Sequence, residues 1–262
     1  MTEGRIDVQQ TGAVARITLN HPERHNAMSM AMWQDLGRHM DALAAEPAIR
    51  VIVLQGAGER AFVSGADIAR FGDERASRQA MRAYSAAVLA ALKGIEDCAK
   101  PTLAVIRGYC MGGGLALAIS CDLRLAASDA VFAIPAARLG IGYNYDGIRR
   151  LVETVGPAHA RQIMITAARL TAADALRIGL VGTVVTTQDL AAAADALVAT
   201  LVANAPLTIA AAKRAIADTR RDAGERDRAA IDALVQRCAD SEDAAEGTRA
   251  FIDKRAPVFK GR

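Results

Sequence analysis

Three consecutive glycines, Gly112, Gly113 and Gly114, stand between a short apolar segment and the start of a predicted helix. They remove every side chain from this turn, so a ligand can approach the bare backbone closely. The first N–H groups of a helix have no partner inside the helix and lie at the positive end of its dipole. The turn is therefore suited to hold a phosphate, or an oxyanion that develops during a reaction. The alternative is a tight turn that packs against a neighbouring element.

A second turn of small residues follows another predicted strand. The apolar residues 51–55 lead through a glycine-containing turn to Ser64, Gly65, Ala66 and Asp67. This segment again places an exposed backbone N–H directly after a strand. Two such turns could converge on one carbonyl oxygen, which is what an oxyanion hole requires.

Five segments of the chain resemble the crotonase, or enoyl-CoA hydratase/isomerase, family. They occur in the order of the family over essentially the whole chain, at residues 20–28, 61–68, 100–101, 108–122 and 250–259. The resemblance implies an α/β fold with a spiral core of ββα units. It also implies that the N–H groups of Ala66 and Gly113 polarise the carbonyl of an acyl-CoA thioester. Coenzyme A then enters as part of the substrate, and no other cofactor and no metal is expected.

The same resemblance predicts the residues that contact the substrate. They lie in the first loop, in the two turns and in the C-terminal tail, and they are Arg24, Ser64, Asp67, Ile68, Gly112, Phe251 and Lys254. The alternative for Arg24 is a solvated surface side chain, and the alternative for Lys254 is a solvated helix end. The sequence alone leaves both open.

Two positions depart from the hydratases of the family, which use two glutamates as acid and base for a water molecule. Ala116 stands three residues after Gly113, where the first glutamate would be, and Ala136 follows Pro135, where the second would be. A methyl group transfers no proton, so the two-carboxylate mechanism cannot operate from these positions. The sequence thus predicts an acyl-CoA lyase or isomerase whose exact reaction is open. Decarboxylation and double-bond isomerisation compete with hydration, and a catalytically silent relative that binds CoA or RNA is a further alternative.

Tyr143 and Asp146 are the side chains that we predict to carry proton chemistry. They stand at a turn that enters a helix, where the hydratases commonly have a glycine-rich stretch. The pattern partly resembles that of methylmalonyl-CoA decarboxylases, which have a tyrosine at the position of Tyr143 but a histidine at that of Ala66. A tyrosine suits a neutral donor, and an ionised aspartate is the better base. The alternative is that Asp146 caps the helix and the tyrosine only packs.

The elements that must position these residues alternate between strands and helices. A hairpin is predicted over residues 6–19, helices over 28–45, 75–96 and 112–120, and strands over 51–54, 103–106 and 122–126. This alternation indicates α/β architecture. Helical patterns dominate from residue 158 onward, with 180–185 as an extended exception. We divide the chain into an acyl-CoA-binding core, residues 1–200, and a helical C-terminal region, residues 201–262. The resemblance implies that the latter builds a homotrimer or a dimer of trimers.

Composition narrows the class of protein further. Hydrophobic residues make up 52% of the 262, and no apolar run reaches the roughly 18 residues of a membrane span. No signal peptide is apparent, so we expect a cytoplasmic protein without a membrane partner. The net charge of +3 is dispersed along the chain, which argues against a nucleic-acid partner. The four cysteines and four histidines lack metal-site spacing, so the cysteines are read as small apolar thiols.

Overall fold

A computed structural model describes residues 3–67 and 77–262 of the chain. Its strands are Arg5–Thr11 (β1), Val14–Asn20 (β2), Val51–Gly56 (β3), Ala61–Val63 (β4), Thr102–Ile106 (β5), Tyr109–Met111 (β6), Leu123–Ala127 (β7), Val131–Ala133 (β8), Leu170–Thr171 (β9) and Thr183–Val185 (β10). Its α-helices are Met30–Ala45 (α1), Arg78–Asp97 (α2), Gly113–Ser120 (α3), Ala136–Leu139 (α4), Tyr145–Thr166 (α5), Ala172–Arg177 (α6), Leu190–Ala203 (α7), Pro206–Thr219 (α8), Arg228–Ala239 (α9) and Glu242–Ile252 (α10). The predicted α/β architecture is confirmed.

The larger sheet has the strand order β1-β2-β3-β5-β7-β10. β1 and β2 form the predicted antiparallel hairpin, and the other neighbouring pairs are parallel. Successive residues of a strand point to opposite faces of a sheet. Accordingly Ile52 and Leu54 join the main core, whereas Val51 and Val53 pack with helix α7 in a second core. Burial on both faces explains why the central strands are apolar without alternation.

A smaller sheet carries the strands that lead into the two candidate turns. Its order is β4-β6-β8-β9, with the first three strands parallel and β9 antiparallel to β8. The sequence does not predict these strands as separate elements. They are two or three residues long, which is too short for an alternating pattern to stand out from the loops beside them.

Helices α1 and α2 form a closely packed pair that builds one wall of the site. Ser29 is the N-cap of α1, and its side chain accepts a hydrogen bond from Met32 N at 3.3 Å. The sequence predicts that helix α2 begins at residue 75, whereas in the structure it begins at Arg78. Ser77 caps it there by accepting from Ala80 N at 3.1 Å. Residues 75 and 76 lie outside the described part of the chain.

The C-terminal region is helical, as predicted, from α8 through α10. Helix α9 buries none of its residues within the single chain. The boundary at residue 200 and the role of this region in a trimer stay predictions. Within the described residues, no single helix has the length and apolar character to cross a membrane. The helices α7 and α8, bent by 100°, pass such a test only as a pair.

Candidate active site

The two small-residue turns lie side by side. Strands β4 and β6 are parallel neighbours, and each turn follows the carboxyl end of one of them. A Cβ atom on Gly112 would lie 4.0 Å from the Cα atom of Gly65. Both glycines have a positive φ, +52° for Gly112 and +115° for Gly65, which an L side chain rarely tolerates. The pairing of two short strands therefore brings together turns that are far apart in the sequence.

Each turn presents a backbone donor. Met28 N donates to Gly65 O at 2.9 Å, and Asp67 N donates to Met28 O at 3.1 Å. These bonds use the carbonyl before Ala66 and the N–H after it, both on the side that faces Met28. The N–H of Ala66 therefore points away from Met28. Gly113 is the first residue of α3, so its N–H has no partner inside the helix. No described residue accepts a hydrogen bond from either N–H.

Different structural constraints act at the three glycines of the second turn. A Cβ on Gly114 would lie 2.3 Å from Val63 O, so this position packs against β4. A Cβ on Gly113 would lie 3.3 Å from Cζ2 of Trp33, at the edge of an open space. Tight packing thus accounts for Gly114, and the positive φ accounts for Gly112. Neither reason accounts fully for Gly113, whose bare backbone faces the cavity.

A cavity of about 440 Å³ opens beside both turns. Its walls are the turns themselves, Trp33 of α1, one face of α2, and the segment from Ile134 to Gly147. Its size lies within the range of about 300–1,000 Å³ that is typical of small-molecule sites. The structure therefore places the two backbone donors at the wall of a space that can hold part of a ligand.

Tyr143 lines this cavity, as expected for a residue that handles protons. Burial raises the pKa of its hydroxyl to about 12. The side chain is therefore neutral at physiological pH and suits a proton donor better than a base. Asn144 follows it and caps α5, with its side chain accepting a hydrogen bond from Gly147 N at 2.7 Å.

Asp146 is placed differently from Tyr143. It stands in the first turn of α5, where a negative charge interacts favourably with the helix dipole. The capping hydrogen bond, however, is made by Asn144. Asp146 is not among the described residues that line the cavity. Its role as a base stays a prediction.

Two alanine methyl groups form part of the cavity wall. Ala116 and Ala136 both line the cavity and are 8% and 5% exposed. The described lining contains no aspartate, glutamate or histidine. A pair of carboxylates that activates water is therefore missing from this part of the site.

Two aromatic residues of the helix pair α1 and α2 also form part of the cavity wall. Trp33 and Tyr84 lie on the apolar stripes of α1 and α2, and both line the cavity. Trp33 Nε1 donates to the Tyr84 hydroxyl at 3.2 Å, which joins the two helices at the wall. An aromatic residue at helical spacing is usual in a core, so the sequence carries no signal for this second role.

The predicted CoA contacts fall into two groups. Arg24, Ser64 and Asp67 come together: Ser64 Oγ donates to Arg24 O at 3.2 Å, and Arg24 Nη1 lies 3.8 Å from Asp67 Oδ1. Phe251 lies in the last turn of α10 and Lys254 follows the end of that helix, and neither is among the described residues of the cavity wall. Ile68 lies outside the described residues. The roles of these residues in binding stay predictions.

The cysteines have the character expected of small apolar groups. Cys98, Cys110 and Cys121 are buried, and burial raises the pKa of each thiol, that of Cys121 to about 12. A thiol with a raised pKa is a poor nucleophile at neutral pH. Within residues 3–67 and 77–262, no three His, Cys, Asp or Glu side chains are grouped as metal ligands.

Replacing Asn144 by alanine is expected to lower the free energy of unfolding by about 1 kcal/mol, because the helix that follows Tyr143 loses its capping acceptor. Asn144→Asp keeps an acceptor and is the matched control. Urea unfolding of the three proteins measures the effect. Equal stability of parent and Asn144→Ala would contradict a structural role for this cap.

Comparison with known proteins adds independent findings. Residues 9–262 match the model of a family described as Enoyl-CoA hydratase/isomerase. A carnitinyl-CoA dehydratase from Salmonella typhi is 34% identical over 261 residues, which cover 98% of both chains. A short-chain-enoyl-CoA hydratase from Clostridium acetobutylicum is 31% identical over 263 residues, with 100% of both chains covered. A solved enoyl-CoA hydratase/carnithine racemase from Magnetospirillum magneticum superposes with a TM-score of 0.94 at 35% identity, over 98% of this chain and 96% of that one.

Proposed function

Because this chain belongs to the enoyl-CoA hydratase/isomerase family, we propose that its cavity binds an acyl-CoA thioester whose carbonyl oxygen accepts from Ala66 N and Gly113 N. The two donors lie in adjacent turns and have no described acceptor. Preorganised N–H dipoles stabilise the negative charge that develops on this oxygen when the thioester becomes an enolate. The proposed activity is therefore a reaction that passes through a thioester enolate.

The described lining favours a reaction that needs an acid but no carboxylate base. Decarboxylation of a malonyl-type thioester meets that condition. The bond from Cα to the carboxylate breaks, its electron pair passes into the thioester as an enolate, and CO2 leaves. Cα then takes a proton from Tyr143, which recovers one from solvent. The observation that carries this choice is a neutral, partly buried Tyr143 that lines the same cavity as the two alanines at 116 and 136.

Double-bond isomerisation fits the same cavity less well. It requires a base that removes a proton from the acyl chain, and a phenol with a raised pKa is rarely ionised at neutral pH. Hydration is the second candidate, because relatives at 34% and 31% identity are named for a dehydratase and a hydratase. Asp146, or a residue outside the described part of the chain, would then have to act on the water.

Hydration of crotonyl-CoA by the parent protein is expected to be very slow. Each missing acid or base typically contributes about 10²–10⁴-fold to such a rate. The double variant Ala116→Glu/Ala136→Glu is expected to hydrate faster, whereas Ala116→Gln/Ala136→Gln, which adds similar bulk without a titratable group, is not. The loss of enoyl absorbance measures the rate. Efficient hydration by the parent would favour the second candidate.

One set of measurements tests the proposed activity as a whole. A saturating ester that binds only the folded protein raises the melting temperature, since ligand at 100 times Kd adds about 2.7 kcal/mol of stability. Enoyl-, malonyl- and methylmalonyl-CoA are compared for the shift in melting temperature and for turnover. Mass spectrometry measures the turnover. We expect a shift with the esters and CO2 release from a malonyl-type ester. Absence of any shift would refute acyl-CoA binding. If the protein retains RNA on a filter and this retention weakens steeply as the salt concentration rises, the RNA-binding alternative is favoured.

A further inference from the structure

The single tryptophan of the chain lies against Gly113, one of the two proposed oxyanion donors. Trp33 is the only tryptophan among the 262 residues and is 1% exposed. A Cβ atom on Gly113 would lie 3.3 Å from Cζ2 of Trp33, which is closer than most Cβ contacts in proteins. Of the described residues outside helix α3 and the chain neighbours of Gly113, only Trp33 comes within 4 Å of that Cβ. Trp33 is therefore the neighbour that limits how Gly113 can move in this direction.

The two glycines beside Gly113 are held by other contacts. Gly112 N donates to a carbonyl oxygen of β8 at 2.8 Å, and a Cβ on Gly114 would lie 2.3 Å from a carbonyl oxygen of β4. These contacts hold the residues on either side of Gly113 against the smaller sheet. The N–H of Gly113 has no described acceptor, and a glycine backbone has wide conformational freedom. The contact with Trp33 is thus the restraint that acts on Gly113 itself.

A hydrogen bond fixes the orientation of the tryptophan ring. Trp33 Nε1 donates to the Tyr84 hydroxyl at 3.2 Å, and the two residues come from the facing helices α1 and α2. Tyr84 is 5% exposed. In an indole, Nε1 and Cζ2 are bonded to the same carbon, Cε2, so a bond that holds Nε1 also holds the edge that meets Gly113. Turning the ring away from Gly113 would break this buried hydrogen bond, which costs free energy.

We propose that Tyr84 and Trp33 are positioning residues for the oxyanion donor at Gly113. The Tyr84 hydroxyl holds the indole, and the edge of the indole holds Gly113 so that its N–H points to the thioester oxygen. The inference rests on the proposed function, because it needs a thioester oxygen at Gly113 N. It gives the helix pair α1 and α2 a role in the reaction that requires no contact between these two side chains and the substrate.

The variant Tyr84→Phe removes the hydroxyl and keeps the ring that lines the cavity. We expect kcat to fall about 10- to 10²-fold, because a misplacement of about 1 Å at a reacting group costs up to that much. KM should change little, since the donor acts mainly on the charge that develops in the transition state. Tyr145→Phe is the matched control, because it removes a hydroxyl from a residue that is 80% exposed. Steady-state kinetics with the ester identified by the panel gives both constants.

The fluorescence of Trp33 shows whether the hydroxyl holds the ring. Because the chain has one tryptophan, the emission spectrum reports this ring alone. We expect the spectrum to change in Tyr84→Phe and to stay that of the parent in Tyr145→Phe. An unchanged spectrum in Tyr84→Phe would overturn the proposal. A folded Tyr84→Phe protein with the kcat of the parent, or with a raised KM at unchanged kcat, would overturn it as well.

A double-mutant cycle tests whether Tyr84 acts through Trp33. Trp33→Phe removes both the N–H and the ring edge that meets Gly113, so it is expected to lower kcat by at least as much as Tyr84→Phe. The double variant should lose no more than Trp33→Phe alone, because the hydroxyl then has no indole to hold. If the two losses multiply in the double variant, the residues act independently, and the proposed order is wrong.

A measurement on the parent protein keeps the proposal testable if these variants do not fold. Butyryl-CoA and S-butyl-CoA differ only in the thioester oxygen, and calorimetry shows when each saturates the protein. We expect butyryl-CoA to change the Trp33 emission more than S-butyl-CoA does, since only its oxygen can accept from Gly113 N beside the ring. Equal changes with both bound compounds would overturn the link between the ring and the donor, while the proposed function would stand. If neither compound binds, the proposed function itself fails, and this inference fails with it.

Discussion

The Gly113→Val variant is expected to lose turnover of the true substrate by about 10²–10³-fold or more. That is the usual effect of losing one donor of an oxyanion hole. The first added carbon would lie 3.3 Å from Cζ2 of Trp33, so the valine side chain adds bulk at the cavity wall beside this N–H. The thioester oxygen could then no longer approach this donor. Steady-state kinetics with the ester identified by the panel measures the loss.

Gly224→Val is the matched control for this variant. It adds the same side chain at a position where a Cβ meets no heavy atom within 4 Å. Circular dichroism and melting curves should show that both variants fold. A folded Gly113→Val protein with the turnover of the parent would remove Gly113 from the proposed site.

Tyr143→Phe is expected to lower turnover by about 10²–10⁴-fold, the usual contribution of a positioned acid, while the Kd for an acyl-CoA changes little. The ring remains to pack, and only the proton is lost. Tyr145→Phe is the matched control, because Tyr145 is 80% exposed and is not among the described residues of the cavity wall. Equal turnover of Tyr143→Phe and the parent would show that this tyrosine only packs.

The stability and the turnover of the parent should both depend on pH in the way that a raised pKa of Tyr143 predicts. Burial raises the pKa of Tyr143 to about 12 in the folded protein, above the value of about 10 for an unperturbed tyrosine. The group therefore contributes stability that is fully present below about pH 10 and is lost as the pH rises towards about 12. For the same reason, turnover that depends on this proton should show no loss from Tyr143 below about pH 10.

Asp146→Asn gives the decisive comparison between the two residues predicted from the sequence. A decarboxylation that uses only an acid should tolerate this change, since Asp146 is not among the described residues of the cavity wall. Loss of turnover in Asp146→Asn with retention in Tyr143→Phe would reverse the two roles. It would also contradict the proposed reaction, because a base would then be required.

The sequence by itself determined the family, the crotonase-like α/β fold and the main elements. These features depend on local patterns. Small residues that follow an apolar strand make a bare turn, apolar residues at helical spacing form a helix, and two strands around a glycine turn form a hairpin. The absence of carboxylates at Ala116 and Ala136 is likewise a property of the residues themselves. Such signals need no knowledge of what lies opposite in space.

Only the tertiary structure decided which of these residues meet. Pairing of β4 with β6 placed Gly65 beside Gly112, although three-residue strands are too short to be recognised in the sequence. Likewise, helix packing decided that Arg150 reaches Glu96, 54 residues earlier. Sequence periodicity shows which residues of one helix or strand share a face. Contacts between distant segments depend on how whole helices and strands pack, and the residue type at a single position does not show which distant residue it will contact.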